Sequence, residues 1–284
     1  MSLLSPPDLQ TEISHLIDVA LAEDIGPGDL TSLSVIPKDL RFTGVMAARQ
    51  VMVVAGLGFA GEIFSRVSPS SSFHPDVLDG DEVAAGTRLA WIEGPAAELL
   101  SAERTALNLL QHLSGIATAT RRYVTAIEGT GATLLDTRKT IPGLRQAAKY
   151  ATRMGGARNH RMGLYDSVLI KDNHIAVCGC LAEAVRRAKS AKVGLVEVEC
   201  DTLGQVGEAL AAGADIILLD NMTTDQLRQA VAMIGGKVKT EASGGVTLDT
   251  IRAIAETGVD YISVGRLTQS AAAIDIGLDW TASR

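Results

Sequence analysis

Beyond residue 130 the chain alternates between short apolar runs and longer amphipathic stretches, and this alternation predicts repeated strand–helix units. The predicted strands are 132–136, 167–170, 194–198, 215–219, 238–241 and 261–264. The predicted helices are 144–154, 181–190, 203–212, 224–234 and 248–256. Such units, repeating at intervals of about 21 to 32 residues, are typical of parallel strands joined by right-handed helical crossovers. The strand runs are apolar at odd and even positions alike, which indicates burial on both faces.

The first part of the chain, from about residue 10 to 115, has a more mixed pattern. An amphipathic helix is predicted for 9–23, and strand-like stretches follow at 42–48, 51–55, 82–83 and 88–92. The turn-rich segment 79–86 links short strands, and a long helix is predicted from about residue 96 to 115. This combination indicates an α+β arrangement.

The regular part of the chain fits either a barrel or an open doubly wound sheet. Polar residues follow every predicted strand, and a barrel gathers all of its carboxyl strand ends around one mouth. An open sheet gathers only the ends near a topological switch point. We therefore predict an α/β barrel. Because the pattern supplies six strands, a complete barrel of eight is not predicted.

Composition and charge narrow the class of ligand. The 284 residues are 46% hydrophobic and 21% charged, as is ordinary for a globular protein, and the net charge of -7 argues against a nucleic-acid partner. The segment 138–174 departs from this balance, because it holds eight Lys or Arg and two Asp. A local cationic cluster in an acidic protein favours a small anionic ligand, although a solvated basic helix face remains the alternative.

Other sequence features exclude several classes. Three cysteines are too few for a disulfide framework and favour a reducing cytosol. The first residues lack the pattern of a signal peptide, and no apolar run is long enough to span a membrane. His174, Cys178 and Cys180 lack a fourth zinc ligand. The segment 56–61 matches G-x-G-x-x-G, but a glycine-rich turn between a strand and a helix is favoured over a dinucleotide site.

The residues at the predicted strand ends carry complementary chemistry. Arg138, Lys139 and Lys171 suit carboxylates and phosphates. Glu199 and Asp220 could bond to sugar hydroxyls, help to hold Mg²⁺ or face a developing positive charge. The glycine turns at 243–245 and 264–266 offer backbone N–H groups to a phosphate. A polar strand end often only caps the following helix, but six such ends with matching chemistry indicate a binding site.

At these residues the chain resembles the quinolinate phosphoribosyltransferase family. The similarity is most specific in 135–174, which includes Asp136-Thr-Arg-Lys-Thr140, Asn159-His-Arg161 and Lys171-Asp-Asn-His174. Further similar stretches are Ser101-Ala-Glu-Arg-Thr-Ala-Leu-Asn108, Glu197-Val-Glu199, Ile217-Leu-Leu-Asp-Asn221, Glu241-Ala-Ser-Gly-Gly245 and Gly258-Val-Asp-Tyr-Ile-Ser-Val-Gly265. The resemblance covers essentially the whole chain.

The resemblance implies a fold and an assembly. The fold class is α/β: an incomplete parallel β/α barrel of fewer than eight strands with an N-terminal α/β sandwich domain. The sandwich is predicted for 1–115, the phosphoribosyltransferase barrel for 116–269, and the tail 270–284 is expected to pack with the sandwich. The family forms a homodimer or a larger homo-oligomer, in which one subunit's sandwich covers its neighbour's barrel mouth.

The resemblance also implies site residues. Lys139, Lys171, Glu199 and Asp220 are the expected catalytic set. Arg104 matches the arginine that is donated across the subunit interface to quinolinate. The remaining substrate-binding residues implied are Thr137, Arg138, His160, Arg161, Ser243, Gly244, Gly245, Val264, Gly265 and Arg266. Many relatives have a small residue where this chain has Arg266, which leaves the role of that side chain open.

The implied reaction transfers phosphoribosyl from phosphoribosyl pyrophosphate to quinolinate with loss of CO₂, giving nicotinate mononucleotide and pyrophosphate for NAD biosynthesis. Mg²⁺ is the expected cofactor, held mainly through phosphoribosyl pyrophosphate near Glu199 and Asp220. The expected location is cytoplasmic, with no nucleic-acid or membrane partner.

Three alternatives stay open on the sequence. A paralogue could use a related anion for different chemistry, as the relatives associated with molybdenum transport do, although 159–161 and 171–174 favour the quinolinate branch. A barrel aldolase could use Lys139 or Lys171 as a Schiff-base nucleophile. A non-catalytic nucleotide-binding module is the third alternative, and the two acidic strand ends count against it.

Overall fold

The computed structural model describes residues 9–282, with side chains as far as residue 280. They form two compact units, one from 122–140 and 157–266, the other from 9–121, 141–156 and 267–282. The 31-residue helix α4 continues from one unit into the other. The predicted boundary between residues 115 and 116 falls inside this helix and stays a prediction. No helix in the described part has the length and apolarity needed to cross a membrane.

The unit that contains the N-terminal part of the chain is built on a four-stranded antiparallel sheet of order β12-β1-β5-β3 and a separate β2-β4 pair. Its elements are α1 (Leu9–Asp24), α2 (Leu30–Val35), β1 (Arg41–Ala48), β2 (Met52–Val53), α3 (Leu57–Val67), β3 (Ser72–Pro75), β4 (Glu82–Val83), β5 (Arg88–Pro95), α4 (Ala96–Ala126), α5 (Arg145–Met154), α11 (Arg266–Gln269) and β12 (Ile276–Ala282). Of these, α4 and α11 also include residues of the other unit. The chain's last strand thus pairs with β1, with Gly44 opposite Trp280. Fully buried Ile13, Ile17 and Phe64 lie in the hydrophobic core of this unit.

The helix α3 begins at the G-x-G-x-x-G segment, and its first turn is already occupied. Gly56 has a φ of 105°, and its N–H donates to Asp79 Oδ2 at 2.9 Å, while Leu57 N–H donates to Asp79 Oδ1 at 3.1 Å. A carboxylate therefore stands where a dinucleotide phosphate would bind. The structure supports a strand-to-helix turn and excludes the dinucleotide interpretation.

The second unit contains a six-stranded parallel sheet of order β6-β11-β10-β9-β8-β7. Its elements are β6 (Thr133–Leu135), β7 (Val168–Ile170), α6 (Asp172–Cys178), α7 (Leu181–Ser190), β8 (Val196–Cys200), α8 (Leu203–Ala212), β9 (Ile216–Asp220), α9 (Thr224–Ile234), β10 (Lys239–Ser243), α10 (Leu248–Ala255) and β11 (Tyr261–Ser263). The first two strands, β6 and β7, are the edges of this sheet. The predicted fold class, an incomplete barrel with six strands, is confirmed.

The edge at β6 is extended by the segment 157–161 instead of by a further strand. Arg158 forms a parallel bridge with Leu135, and its N–H donates to Leu134 O at 3.0 Å. The bridge is limited to this one residue pair. Residues 158–161 therefore enter the barrel wall in irregular backbone beside β6.

Local sequence signals fix the helices of this unit. Thr202 and Gln205 form a capping box at the start of α8, and Thr223 and Gln226 repeat it at the start of α9. Each such cap stabilises a helix by about 1 kcal/mol. Gly213 ends α8 in the left-handed conformation, which glycine adopts without steric cost. The predicted bounds of α7, α8 and α9 are confirmed to the residue.

Candidate active site

Strand register places the two predicted acidic residues on one face of the parallel sheet, together with Glu241 and Ser243. Glu199 on β8 lies opposite Leu218 on β9, which lies opposite Glu241 on β10. The next row in the same direction pairs Asp220 with Ser243. Because side chains alternate between faces, residues two apart on a strand share a face. Glu199, Asp220, Glu241 and Ser243 therefore project from the same face, toward the carboxyl ends of their strands.

Two of the predicted catalytic residues are in direct contact. Lys171, which directly follows β7, donates from Nζ to Glu199 Oε2 on the adjacent strand. The Lys171 side chain is 42% exposed, whereas that of Glu199 is 12% exposed. The ion pair therefore holds the ammonium group at the edge of the site, where a ligand can reach it.

Asp220 lies in the same electrostatic environment. Burial and then the negative charge of Glu199 raise the pKa of the Asp220 carboxyl, while the charge of Lys171 acts in the opposite direction. Asn221 Nδ2 donates to Asp220 Oδ2 at 2.5 Å. The two acids thus repel each other in the ligand-free protein, and a cation or a positive sugar centre between them would relieve that repulsion.

The residues after β6 approach the end of β11 closely. Lys139 N–H donates to Thr137 Oγ1 at 3.0 Å, which turns the chain at the strand end. A methyl group on Gly265 would lie 2.7 Å from Lys139 Cδ and 3.5 Å from Thr137 Oγ1. Only glycine gives the Lys139 side chain this room. The structure therefore brings together Thr137, Lys139 and Gly265, which come from opposite ends of the predicted barrel sequence.

Two arginines form a cationic pair in the same unit. Burial and the charge of Arg138 lower the pKa of Arg161. Arg161 Nη1 donates to Ser167 O at 3.2 Å. Arg138 Nε is buried and has no hydrogen-bond partner within residues 9–282. A buried guanidinium N–H without a partner is costly, and a carboxylate or phosphate would satisfy it.

His160 is held by hydrogen bonds on both sides of its ring. Nε2 lies 3.3 Å from Glu197 Oε2 and 3.4 Å from Glu241 Oε2, and both carboxylates are at least 95% buried. Nδ1 accepts from Arg161 N–H at 2.7 Å. His160 N–H donates to Asp136 Oδ1 at 2.9 Å, and Asn159 Nδ2 donates to Asp136 Oδ2. His160, Glu197 and Glu241 line a cavity of about 260 Å³, together with the other residues of the segment 158–161.

The turn after β10 is built around Asn221. Gly244 and Gly245 have φ values of 97° and 60°, both in the left-handed region. Asn221 is itself left-handed at 52°, and its N–H donates to Ser243 O at 2.9 Å. A methyl group on Gly244 would lie 2.2 Å from Asn221 Oδ1. The ends of β9 and β10 are therefore locked together next to Asp220.

The remaining predicted residues are placed differently. Val264 is 2% exposed and can offer only its backbone, while the Arg266 side chain is exposed. Arg104 lies at an exposed position on α4 in the other unit, and its side chain has no hydrogen bond or ion pair to any described residue. Asp136, Glu197 and Glu241 were not predicted as site residues. Glu197 and Glu241 each lie two positions before a predicted site residue on a strand, and this period of two would have placed them on the same face.

Comparisons with known proteins agree along the whole chain. Residues 29–114 match the model of the quinolinate phosphoribosyl transferase N-terminal domain, and residues 116–279 match that of its C-terminal domain. A probable nicotinate-nucleotide pyrophosphorylase [carboxylating] of Bacillus subtilis is 44% identical over 96% of this chain and 94% of its own length. The chloroplastic nicotinate-nucleotide pyrophosphorylase [carboxylating] of Arabidopsis thaliana is 41% identical over 97% of this chain and 85% of its own length.

Solved structures have the same fold. The nicotinate-nucleotide pyrophosphorylase of Francisella tularensis superimposes with a TM-score of 0.93 at 41% identity, covering 98% of both chains. That of Ehrlichia chaffeensis gives a TM-score of 0.91 at 41% identity, over 94% of this chain and 98% of its own.

Proposed function

Because the chain belongs to the quinolinate phosphoribosyltransferase family, we propose that it transfers phosphoribosyl from phosphoribosyl pyrophosphate to quinolinate with loss of CO₂. The products are nicotinate mononucleotide, pyrophosphate and CO₂, and the reaction serves de novo NAD biosynthesis. The observation that carries this proposal is the joint placement of the Lys171–Glu199 pair, Asp220 and the glycine turn 243–245 at adjacent strand ends. These strand ends thus combine a cation for the anionic substrates, acids for the sugar and backbone N–H groups for a phosphate.

The chemistry follows from the charges. Breaking the bond between C1 of the sugar and pyrophosphate creates an oxocarbenium-like centre, which the carboxylates of Glu199 and Asp220 stabilise. The quinolinate nitrogen forms a bond to C1 and becomes a pyridinium. When the 2-carboxylate leaves as CO₂, the electron pair of the broken bond stays on the ring carbon. A proton then bonds to that carbon. The protein contributes position and electrostatics, and needs no covalent intermediate.

The cationic residues bind the two substrates. We assign Arg138 and Arg161 to the quinolinate carboxylates, since the buried Nε of Arg138 needs an acceptor. Lys139 and Lys171 are point charges for the phosphate groups. The Schiff-base alternative requires a neutral lysine amine, whereas Lys171 is ion-paired with a carboxylate.

Mg²⁺ fits the acidic pair. Burial, and then repulsion by Glu199, raises the pKa of Asp220; a divalent cation would relieve that repulsion, and carboxylate oxygens are ligands that Mg²⁺ accepts. Bound with phosphoribosyl pyrophosphate beside Glu199 and Asp220, Mg²⁺ would supply neutralisation of the pyrophosphate leaving group.

The decisive assay measures labelled CO₂ released from carboxyl-labelled quinolinate. We expect release only when phosphoribosyl pyrophosphate and Mg²⁺ are both present, with loss of activity on chelation and recovery on adding Mg²⁺. Turnover of nicotinate in place of quinolinate would refute the substrate assignment. Inactivation by borohydride in the presence of a carbonyl substrate would instead favour the aldolase.

We further propose a homodimer or larger homo-oligomer with shared active sites. The support is Arg104, an exposed cation on α4 without a partner among the described residues. Mixing an Arg104→Ala protein with a Lys139→Ala protein should restore part of the activity, because a hybrid dimer contains one intact site. Each variant mixed with itself is the control. No recovery after verified subunit exchange would contradict the shared site.

The proposed location is the cytoplasm. All three cysteines are free thiols, with Cys200 buried, as suits a reducing compartment.

A further inference from the structure

The cluster of His160, Glu197 and Glu241 combines three titratable groups in the interior of the barrel unit. Their closest nitrogen and oxygen atoms all lie within 4.8 Å of one another. Glu197 is 4% exposed and Glu241 2%. Oε1 of each carboxylate is buried and has no hydrogen-bond partner among the described residues. Two buried carboxylates this close must share a proton or a cation.

The hydrogen bond at Nδ1 of His160 distinguishes a shared proton from a bound metal ion. Nδ1 accepts the Arg161 N–H, so it carries a lone pair, and the ring proton is on Nε2, facing the carboxylates. A metal ion would need the lone pair on Nε2 and a proton on Nδ1, which would then oppose the Arg161 N–H. The geometry therefore favours a proton shared by the two carboxylates over a metal ion.

The raised pKa of His160 indicates that the cluster holds one extra proton, and the Arg161 N–H at Nδ1 places that proton on a carboxylate and not on Nδ1. Burial opposes the charged ring, but the hydrogen bonds that its Nε2–H donates to Glu197 and Glu241 outweigh burial and raise the pKa of His160 to about 10. Burial also raises the pKa of Glu197. Two states of the cluster contain the same number of protons. One has a charged His160 ring and two carboxylates, and the other has a neutral ring, one carboxylate and one protonated glutamic acid. The raised pKa of His160 therefore means that this proton stays within the cluster at neutral pH.

We propose that His160, Glu197 and Glu241 form a positioning triad, which fixes Arg161 beside Arg138 and thereby sets the affinity for the dicarboxylate substrate. The triad acts through Arg161, whose N–H binds the ring and whose guanidinium reaches Ser167 O. Asp136 holds the other side of the same segment through His160 N–H. The charged and titratable groups around the ring are Asp136, Arg138, Arg161, Glu197, Glu241 and, across the cavity, Arg158 and Tyr261.

The inference rests on the proposed function. Its main test measures KM separately for quinolinate and for phosphoribosyl pyrophosphate. Glu197→Ala should raise KM for quinolinate by about 10- to 100-fold, because it removes a buried hydrogen-bond partner, and should leave KM for phosphoribosyl pyrophosphate within about twofold. Glu197→Gln, which resembles the protonated acid, should restore KM at pH 7. Val198→Ala, a fully buried change on the opposite face of β8, is the control for lost stability.

The pH profile gives a second readout. Because the raised pKa keeps the proton on the cluster until about pH 10, kcat/KM for quinolinate should fall as the pH approaches that value. In Glu197→Gln, where the amide cannot lose its protons, this alkaline fall should be reduced. Equal KM changes for both substrates in Glu197→Ala, or an unchanged alkaline fall in Glu197→Gln, would overturn the triad.

A third measurement does not depend on catalysis. In ¹⁵N-histidine-labelled protein, the His160 signal, identified from a His160→Gln sample, should show a proton on Nε2 and none on Nδ1 from pH 6 to 9. A proton on Nδ1 alone, or stoichiometric Zn²⁺ or Mn²⁺ that Glu197→Gln abolishes, would refute the proposal. If the wild-type protein lacks quinolinate turnover but shows the Nε2 proton, the proposed function fails, and with it the substrate named for the triad.

Discussion

Lys171→Met is expected to lower kcat/KM by about two to three powers of ten, or about 2.7–4 kcal/mol, the usual cost of removing one preorganised charge-stabilising group from an active site. Lys171 Nζ binds Glu199 Oε2, so the substitution removes a cation from the substrates and leaves Glu199 without its partner. The free energy of unfolding should change by no more than about 1 kcal/mol, since the Lys171 side chain is 42% exposed. Steady-state kinetics and urea unfolding measure the two quantities.

Lys189→Met is the matched control. Its side chain is 41% exposed and binds Asp215 Oδ1 at 2.7 Å, so it has the same exposure and the same kind of partner as Lys171. Its substitution should have a similar effect on unfolding and leave kcat/KM unchanged. Equal activity losses in the two variants would show that Lys171 acts only through stability.

Gly244→Ala should lower both stability and activity. Its methyl group would lie 2.2 Å from Asn221 Oδ1 and 2.9 Å from Asn221 N, at a φ of 97°. A left-handed alanine costs about 1–2 kcal/mol and overpacking about 1–3 kcal/mol, so unfolding should become easier by about 2–5 kcal/mol. Because Asn221 donates to Asp220 Oδ2, its displacement should also lower kcat/KM by at least about tenfold.

Gly245→Ala separates the clash from the backbone strain. Gly245 has a φ of 60°, but a methyl group there meets no heavy atom within 4 Å. This variant should lose only about 1–2 kcal/mol, the cost of the left-handed conformation. In urea unfolding, the free energy of unfolding of Gly244→Ala should therefore be clearly lower than that of Gly245→Ala. The same stability for both would refute the close packing of Asn221 against Gly244.

Local signals were sufficient to predict most of the barrel unit. Thr202 with Gln205 and Thr223 with Gln226 cap their helices within the sequence itself, so the starts of α8 and α9 could be placed to the residue. The helix α6 and the strands β3 and β12 were not predicted. The strand β12 depends on pairing with β1 more than two hundred residues earlier, and such a pairing leaves no local signature.

The site was predictable where its residues interrupt an apolar pattern. Lys171, Glu199 and Asp220 follow or end apolar strands and were recognised as strand ends. Glu197 and Glu241 lie within strands, and their partner His160 comes from irregular backbone, so the cluster exists only in three dimensions. The Asn221–Gly244 contact likewise depends on two adjacent strand ends and a backbone conformation that the sequence does not reveal.

The position between the edge strands β6 and β7 is one where the wall of the barrel unit can vary in sequence. A strand in that position would have to alternate its side chains inward and outward and to satisfy neighbours on both sides. Residues 158–161 pair with the sheet only through the bridge at Arg158, so their side chains need not alternate between its two faces. These four consecutive residues all line the cavity. Replacing this tetrapeptide would therefore change the side chains that line the cavity and leave the pairing of the six strands intact.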